Sequence, residues 1–270
     1  MRNTNRVSLI TSAILLVISI TASCISLNSN LKYDQSKKRT SAPADAFVLV
    51  EIDQELIPTE CKTSDPEVDC EKLISELPRI KNSGSGSGLM VMSDAGPAIL
   101  TAAHVCESDA PDTFKHRGIE ITILTMTKIK VHSPLKGSYH ADILRTDRVK
   151  DLCLLRPEKI FTHPVPLAKR EPSIGEKVYA VAAPFGISGK NLALVFSGFF
   201  SGTRENTRFY TIPTRPGSSG SAVLNENWEV VGVLHTAFRD LENVGLGTGL
   251  HDIKTFLFSP VEVIVETPDF

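Results

Sequence analysis

The chain has 270 residues, of which 41% are hydrophobic and 22% are charged, and its formal net charge is -2. This composition excludes disorder along the whole length and predicts one large folded domain or two small ones. The near-neutral charge argues against a nucleic-acid partner. The 17 Gly residues, the 16 Pro residues and the many short apolar runs favour an all-β fold.

Residues 1–27 have a short basic head followed by an apolar stretch from Val7 to Ile20, which is the pattern of a secretory signal. The segment ends in Thr21-Ala22-Ser23-Cys24, which resembles a bacterial lipobox whose cysteine is lipidated. Three outcomes stay open: lipidation of Cys24, ordinary cleavage near Ala22, or an uncleaved membrane helix. We expect an exported protein, periplasmic or at the cell surface, with this segment as its membrane anchor.

A polar linker is predicted over residues 28–45, because charged and small polar residues dominate it. A folded domain is expected over residues 46–258, beginning with a strand at Ala46–Ile52. Residues 259–270 are predicted to form a C-terminal tail.

Cys61 and Cys70 flank the sequence Asp65-Pro66-Glu67, which is a helix-start signal. A short helix is therefore predicted to follow and to end before Pro78. In an oxidising compartment, a disulfide between Cys61 and Cys70 would link the two ends of this segment.

The segment from Asn82 to Gly88 alternates Ser and Gly, and it runs at once into the apolar residues Leu89–Met92. This arrangement favours the start of a strand over a flexible linker. Since no Gly-Lys-Ser/Thr follows, the segment is not a phosphate-binding loop.

Two further groups of strands are predicted from alternating or apolar runs, separated by a Pro-rich connection at residues 157–172. The runs are 119–124, 128–131 and 141–144 in the first group, and 177–182, 192–196, 198–202, 208–212, 222–224 and 229–234 in the second. Residues 251–258 predict a short C-terminal helix.

Three stretches carry polar residues suited to nucleophilic catalysis. They are Thr101-Ala102-Ala103-His104, Asp151-Leu152-Cys153-Leu154-Leu155 and Gly217-Ser218-Ser219-Gly220-Ser221, in the chain order His, Asp, Ser. Together they resemble the catalytic blocks of chymotrypsin-like (trypsin-like) serine peptidases, and most closely the bacterial V8-type and HtrA-type enzymes. The resemblance extends over residues 80 to 258.

This resemblance implies two six-stranded antiparallel β-barrels, divided near residues 157–172, with a short C-terminal helix. It also implies a serine endopeptidase in which Ser219 is the nucleophile, His104 is the general base and Asp151 orients the imidazole. The amides of Gly217 and Ser219 would form the oxyanion hole. In the family, a Gly-Ser-Gly segment feeds the strand before the histidine strand and lets substrate approach. The alternative function is a catalytically inactive binding module with the same fold.

Each role has rival residues nearby. Ser218 and Ser221 are the other candidate nucleophiles, but the family's reactive serine directly precedes the glycine of a Ser-Gly pair, which selects Ser219. Asp142 and Asp147 compete with Asp151, which alone stands directly before a matching apolar run.

Cys106 follows His104 by two residues, and Cys153 follows Asp151 by two residues. If the His and Asp side chains meet, the two cysteines are also close, and we predict a disulfide between them. Two buried free thiols are the alternative.

Substrate preference is weakly encoded. Arg215 and His235 are candidates for a pocket that accepts a glutamate side chain, by resemblance to V8-like enzymes. We expect a polypeptide substrate, no cofactor and no nucleic acid. No metal is predicted either, because no C-x-x-C motif and no zinc-like His/Cys spacing occurs. The oligomeric state is left open.

Overall fold

A computed structural model describes residues 39–107, 112–238 and 241–258. The predicted signal segment with Cys24, most of the predicted linker and the tail lie outside the described residues. Within those ranges, no helix is both long enough and apolar enough to cross a membrane.

The described chain forms two antiparallel sheets. The first contains β1 (Phe47–Thr63), β2 (Ile80–Ser93), β3 (Gly96–Thr101), β4 (Thr113–His116), β5 (Ile119–Ser133), β6 (Gly137–Asp147) and β7 (Leu152–Pro157). The second contains β8 (Lys177–Ala182), β9 (Leu194–Arg204), β10 (Thr207–Tyr210), β11 (Ala222–Leu224), β12 (Val230–Phe238) and β13 (Leu241–Gly249). Three short α-helices are α1 (Cys70–Glu76), α2 (Ala103–Cys106) and α3 (Leu250–Phe258), and Pro184–Gly186 is a 3-10 turn.

The strand order of the first sheet is β1-β2-β3-β7-β6-β5-β4, and β1 also pairs with β5. This added pairing joins the sheet into a ring, to which β4 adds a seventh strand. The second sheet is a closed barrel in the order β10-β13-β12-β11-β8-β9. The predicted all-β, chymotrypsin-like fold with a short C-terminal helix is confirmed.

Strands β3 and β7 are the central pair for the site, because both are buried and they lie side by side. Ile99 pairs with Leu155, and Thr101 pairs with Cys153. All of Leu152–Leu155 is fully buried, so the hydrophobic effect fixes this register against the core. The pairing brings the end of β3 beside the start of β7.

The first strand and the first helix illustrate how the observed elements differ from the predicted ones. The first strand continues to Thr63, because β5 pairs with β1 along almost its whole length. The helix begins at Cys70, where Asp69 is the N-cap and its side chain accepts from the amide of Lys72 at 3.1 Å. Asp65 instead accepts from the amide of Glu67 at 3.0 Å and forms a local turn.

Candidate active site

The candidate nucleophile lies in a loop between β10 and β11, and the backbone shape of that loop requires glycine. Gly217 and Gly220 have φ values of 91° and 84°, in the left-handed region where side chains are strained. A Cβ on Gly217 would lie 2.4 Å from the carbonyl oxygen of Ala183, and one on Gly220 would lie 2.1 Å from that of Ser87. Glycine at both positions therefore lets the loop pack against its neighbours.

His104 and Asp151 meet directly. The imidazole Nδ1 lies 2.7 Å from Asp151 Oδ2, and the backbone N–H of His104 donates to Oδ1 at 3.0 Å. Asp151 stands just before β7 and has a φ of 50°, which turns its side chain toward α2. With Nδ1–H donated to the carboxylate, the neutral imidazole carries its lone pair on Nε2.

The carboxylate stays ionised in this setting. Burial alone raises the pKa of Asp151, but the hydrogen bonds from the His104 side chain and backbone outweigh it, together with the electrostatic interaction with the imidazoles of His104 and His235. The pKa of Asp151 therefore lies below its ordinary value. A negative charge is held against the imidazole, where it stabilises an imidazolium.

The rival aspartates point elsewhere. Asp142 is exposed on β6 opposite Arg156. Asp147 accepts from the amide of Lys150 at 2.9 Å and stabilises the turn before β7. Of the three candidates, Asp151 is the one in contact with His104.

Ser219 is the accessible serine of its loop. It is partly exposed, whereas Ser218 is 1% exposed and Ser221 is fully buried at 0%. Ser219 and His104 line the same cleft, which has a volume of about 160 Å³. The remaining residues of its lining are Ile52, Gln54, Asn82, Ser83, Gly84, Ser85, Val105 and Glu107.

The loop also presents two backbone donors. Across the described parts of the chain, the amides of Gly217 and Ser219 donate to no protein acceptor. The neighbouring groups are fixed, because Ser218 N donates to Arg215 O at 2.8 Å and Phe185 N donates to Pro216 O at 2.6 Å. Rigid, unpaired amides of this kind can stabilise a developing oxyanion.

His235 lies behind Asp151. Its Nδ1 is 3.8 Å from Asp151 Oδ2, and its Nε2 is 3.3 Å from Thr248 Oγ1. Burial lowers the pKa of His235, although the Asp151 charge opposes this shift. The lining of the cleft includes neither His235 nor Arg215, and their predicted part in a substrate pocket stays a prediction.

Both predicted disulfides are present. Cys106 is bonded to Cys153, which joins α2 to β7 directly behind the His–Asp pair. Cys61 is bonded to Cys70, which joins α1 to the end of β1.

No group of three or more His, Cys, Asp or Glu side chains arranged for a metal ion occurs in the part of the chain that the structure describes. The chemistry supported by the arrangement is nucleophilic attack by a serine with an imidazole as general base.

Ser87 and Thr248 are functional-site neighbours that the sequence patterns did not indicate. Ser87 contacts the nucleophile loop, and Thr248 contacts His235. The available signal for Ser87 is a serine between two glycines, directly before the apolar run Leu89–Met92.

Comparisons with known proteins agree with the fold and indicate a family. A family described as "Trypsin-like peptidase domain" matches residues 86–233, more than half of the chain. Among solved structures, the serine endoprotease from Yersinia pestis is similar with a TM-score of 0.53 and 23% identity, and the match covers 78% of this chain. This chain spans only 60% of the length of that protein. A comparison with curated protein sequences finds no match.

Proposed function

The chain belongs to the trypsin-like peptidase family, and from this premise we propose that it is a serine endopeptidase that cleaves polypeptides through Ser219, His104 and Asp151. The observation that carries the proposal is that His104, joined to Asp151 at 2.7 Å, lines the same cleft as Ser219, the only accessible serine of the Gly217–Ser221 loop.

In the proposed mechanism, Ser219 Oγ attacks the scissile carbonyl carbon while its proton passes to Nε2 of His104. The oxyanion of the tetrahedral intermediate accepts hydrogen bonds from the amides of Gly217 and Ser219. When the C–N bond breaks, His104 donates its proton to the leaving amine and an acyl-enzyme remains. Water, deprotonated by His104, then attacks the ester carbonyl. When the C–O bond to the serine breaks, His104 returns the proton to Ser219 Oγ and the carboxylic acid product leaves.

Asp151 takes no proton in this sequence. It holds Nδ1–H of His104 and stabilises the imidazolium that forms in each half-reaction. The lowered pKa of Asp151 supports this role, since the carboxylate remains charged over the range in which the imidazole works.

We also propose that the protein is exported and attached to a membrane through residues 1–27, either by a lipid on Cys24 or by an uncleaved helix. The apolar N-terminal sequence supports export. The two disulfides support it independently, because structural disulfides persist mainly in oxidising compartments.

The activity is tested by labelling the purified full-length chain in detergent with a fluorophosphonate probe, followed by peptide mapping of the labelled serine. We expect the label on Ser219, and we expect it to be absent from Ser219→Ala and to form far more slowly in His104→Ala. Labelling that survives Ser219→Ala would contradict the choice of nucleophile. A folded wild-type protein without any label would favour the inactive binding module.

Membrane attachment is tested separately by fractionation of cells that produce the wild type or Cys24→Ser. A shift of the variant from the membrane to the soluble fraction would support lipidation. Retention of the variant in the membrane would favour the uncleaved helix, and a soluble wild type would contradict anchoring.

A further inference from the structure

We infer that Ser87, on β2 of the first sheet, is a positioning residue that sets the geometry of the oxyanion loop, defined here as residues 215–219. The inference rests on the proposed function of that loop. It concerns a residue outside the His–Asp–Ser set, and its side chain lies in the buried contact between the two sheets.

All hydrogen-bonding groups of Ser87 are used, and the residue is 0% exposed. Its Oγ donates to Gly217 O at 2.8 Å and accepts from Ala183 N at 2.9 Å. Its backbone N–H donates to Ser219 O at 2.7 Å, and its carbonyl accepts from Thr101 Oγ1 at 2.8 Å. Ser87 therefore binds the carbonyls of both residues whose amides would form the oxyanion hole.

These bonds constrain the direction of the Gly217 amide by two routes. First, the bond from Ser87 Oγ to Gly217 O holds the peptide that follows Gly217, and so anchors Gly217 from its C-terminal side. Second, Ser87 Oγ holds the amide of Ala183, which lies two residues before Phe185. The amide of Phe185 in turn donates to Pro216 O at 2.6 Å. Since a trans peptide is planar, with its C=O and N–H pointing in opposite directions, holding Pro216 O fixes the direction of Gly217 N–H.

The flanking glycines permit this close approach. A Cβ on Gly86 would lie 3.0 Å from Ser219 O and 2.7 Å from the Val105 side chain, and one on Gly88 would lie 2.8 Å from that of Ile99. Strand β2 can therefore run close enough to the loop for a side chain as short as that of serine to reach Gly217 O. A longer polar side chain would not fit this fully buried position.

Removing the hydroxyl leaves a buried carbonyl and a buried amide without their partner, and such groups relax by moving. We expect the loop to shift and the Gly217 amide to lose its alignment. Loss of a whole oxyanion donor typically lowers kcat by about 10²–10³-fold. A misaligned donor should cost less, roughly 10-fold.

Ser93 offers a matched control on the same strand. It is 5% exposed, its Oγ donates to Gly96 O at 2.8 Å, and the same Oγ accepts from Ala95 N at 3.2 Å. Ser93→Ala thus also removes one donated and one accepted side-chain hydrogen bond, but from the β2–β3 turn and not from the oxyanion loop.

The experiment measures inactivation of the full-length wild type, Ser87→Ala, Ser87→Cys and Ser93→Ala by the fluorophosphonate probe, separating the maximal rate from the half-saturating concentration. The phosphonyl oxygen of the probe occupies the same hole as the oxyanion. We expect the maximal rate of Ser87→Ala to fall roughly 10-fold with its half-saturating concentration unchanged. The maximal rate and the half-saturating concentration of Ser93→Ala should stay within about twofold of wild type.

Ser87→Cys keeps one polar atom on Cβ but replaces the hydroxyl by a weak donor, so it reports on the hydrogen bond even if Ser87→Ala does not fold. An unchanged maximal rate in Ser87→Ala, or in folded Ser87→Cys, would overturn the inference. So would an equal loss in Ser87→Ala and Ser93→Ala, because this would indicate a general loss of stability. A wild type without any labelling would overturn the proposed function and, with it, this inference.

Discussion

The hydroxyl of Ser219 donates to the backbone carbonyl of His235, with 3.0 Å between the oxygens. The same residue, His235, places its imidazole beside Asp151. In the proposed mechanism, Ser219 must leave this carbonyl and turn its hydroxyl toward His104. A neutral hydrogen bond contributes only about 1 kcal/mol net, so the resting arrangement presents a small barrier to reaction.

Asp151→Asn should leave the protein folded but nearly inactive. The amide can donate a hydrogen bond to Nδ1, which favours the tautomer with its proton on Nε2, where the lone pair is needed. In a serine peptidase triad this change lowers kcat by about 10⁴-fold, and we expect a loss of that order in turnover of a peptide substrate or in probe labelling.

Asp142→Asn is the control for this change, because Asp142 is exposed on β6 of the same sheet. It should react like the wild type. Equal losses in the two variants, or full activity in Asp151→Asn, would argue that Asp151 does not orient His104.

Gly217→Ala should impair both folding and labelling, whereas Gly96→Ala should cost stability alone. The two glycines have similar φ values of 91° and 94°, but a Cβ at Gly96 meets nothing within 4 Å, and one at Gly217 lies 2.4 Å from Ala183 O. We expect Gly96→Ala to lose about 1–2 kcal/mol from backbone strain. Thermal unfolding and probe labelling of both variants measure the difference, and similar behaviour would show that the contact at Ala183 is easily relaxed.

The disulfide behind the His–Asp pair should matter more than the one at the end of β1. Cys106 and Cys153 are 47 residues apart, whereas Cys61 and Cys70 are 9 apart. In the chain-entropy model these loops correspond to about 4 and 3 kcal/mol of stabilisation.

We expect the double variant Cys106→Ala/Cys153→Ala to unfold at a lower temperature than Cys61→Ala/Cys70→Ala, and to lose probe labelling while the latter keeps it. Denaturation curves and labelling rates of the two double variants test this. Wild-type labelling in Cys106→Ala/Cys153→Ala would mean that strand pairing alone aligns His104 with Asp151.

The sequence predicted the sheets and the His104–Asp151 pair well because their signals are local. Each residue adjoins an apolar run, and both runs are buried, so the hydrophobic pattern sets their register. Strand β13 escaped prediction because glycines at 245, 247 and 249 replace the apolar alternation. A Cβ on Gly247 would lie 2.3 Å from Val233 O, so close strand packing explains that glycine.

The surroundings of His235 and Ser87 depend on contacts between parts of the chain that are distant in sequence. The pairing of β12 with β13 shifts register between Leu234 and Thr236, and such a bulge redirects the side chain at its centre. This accounts for an imidazole that faces Asp151. The contacts of Ser87 arise only when the two sheets pack together, which a pattern within one strand does not report.

His235 should make the protein less stable as the pH falls below about 6.5. Burial lowers the pKa of the folded-state imidazole, so the unfolded chain binds a proton in a range where the folded chain does not. The stability contribution is complete above the unfolded pKa and is lost as pH falls toward the folded one, with a slope of at most about 1.4 kcal/mol per pH unit. Asp151 has a lowered pKa as well, but its contribution is lost only in more acidic solution.

The measurement is the free energy of unfolding in urea between pH 7 and pH 5 for wild type, His235→Gln and His140→Gln. His140 is exposed on β6 and serves as the matched control. We expect a shallower pH dependence in His235→Gln than in either of the others, because its side chain no longer titrates. Parallel curves for all three proteins would mean that His235 is protonated equally easily in the folded and unfolded states, and that its burial beside Asp151 has no electrostatic consequence.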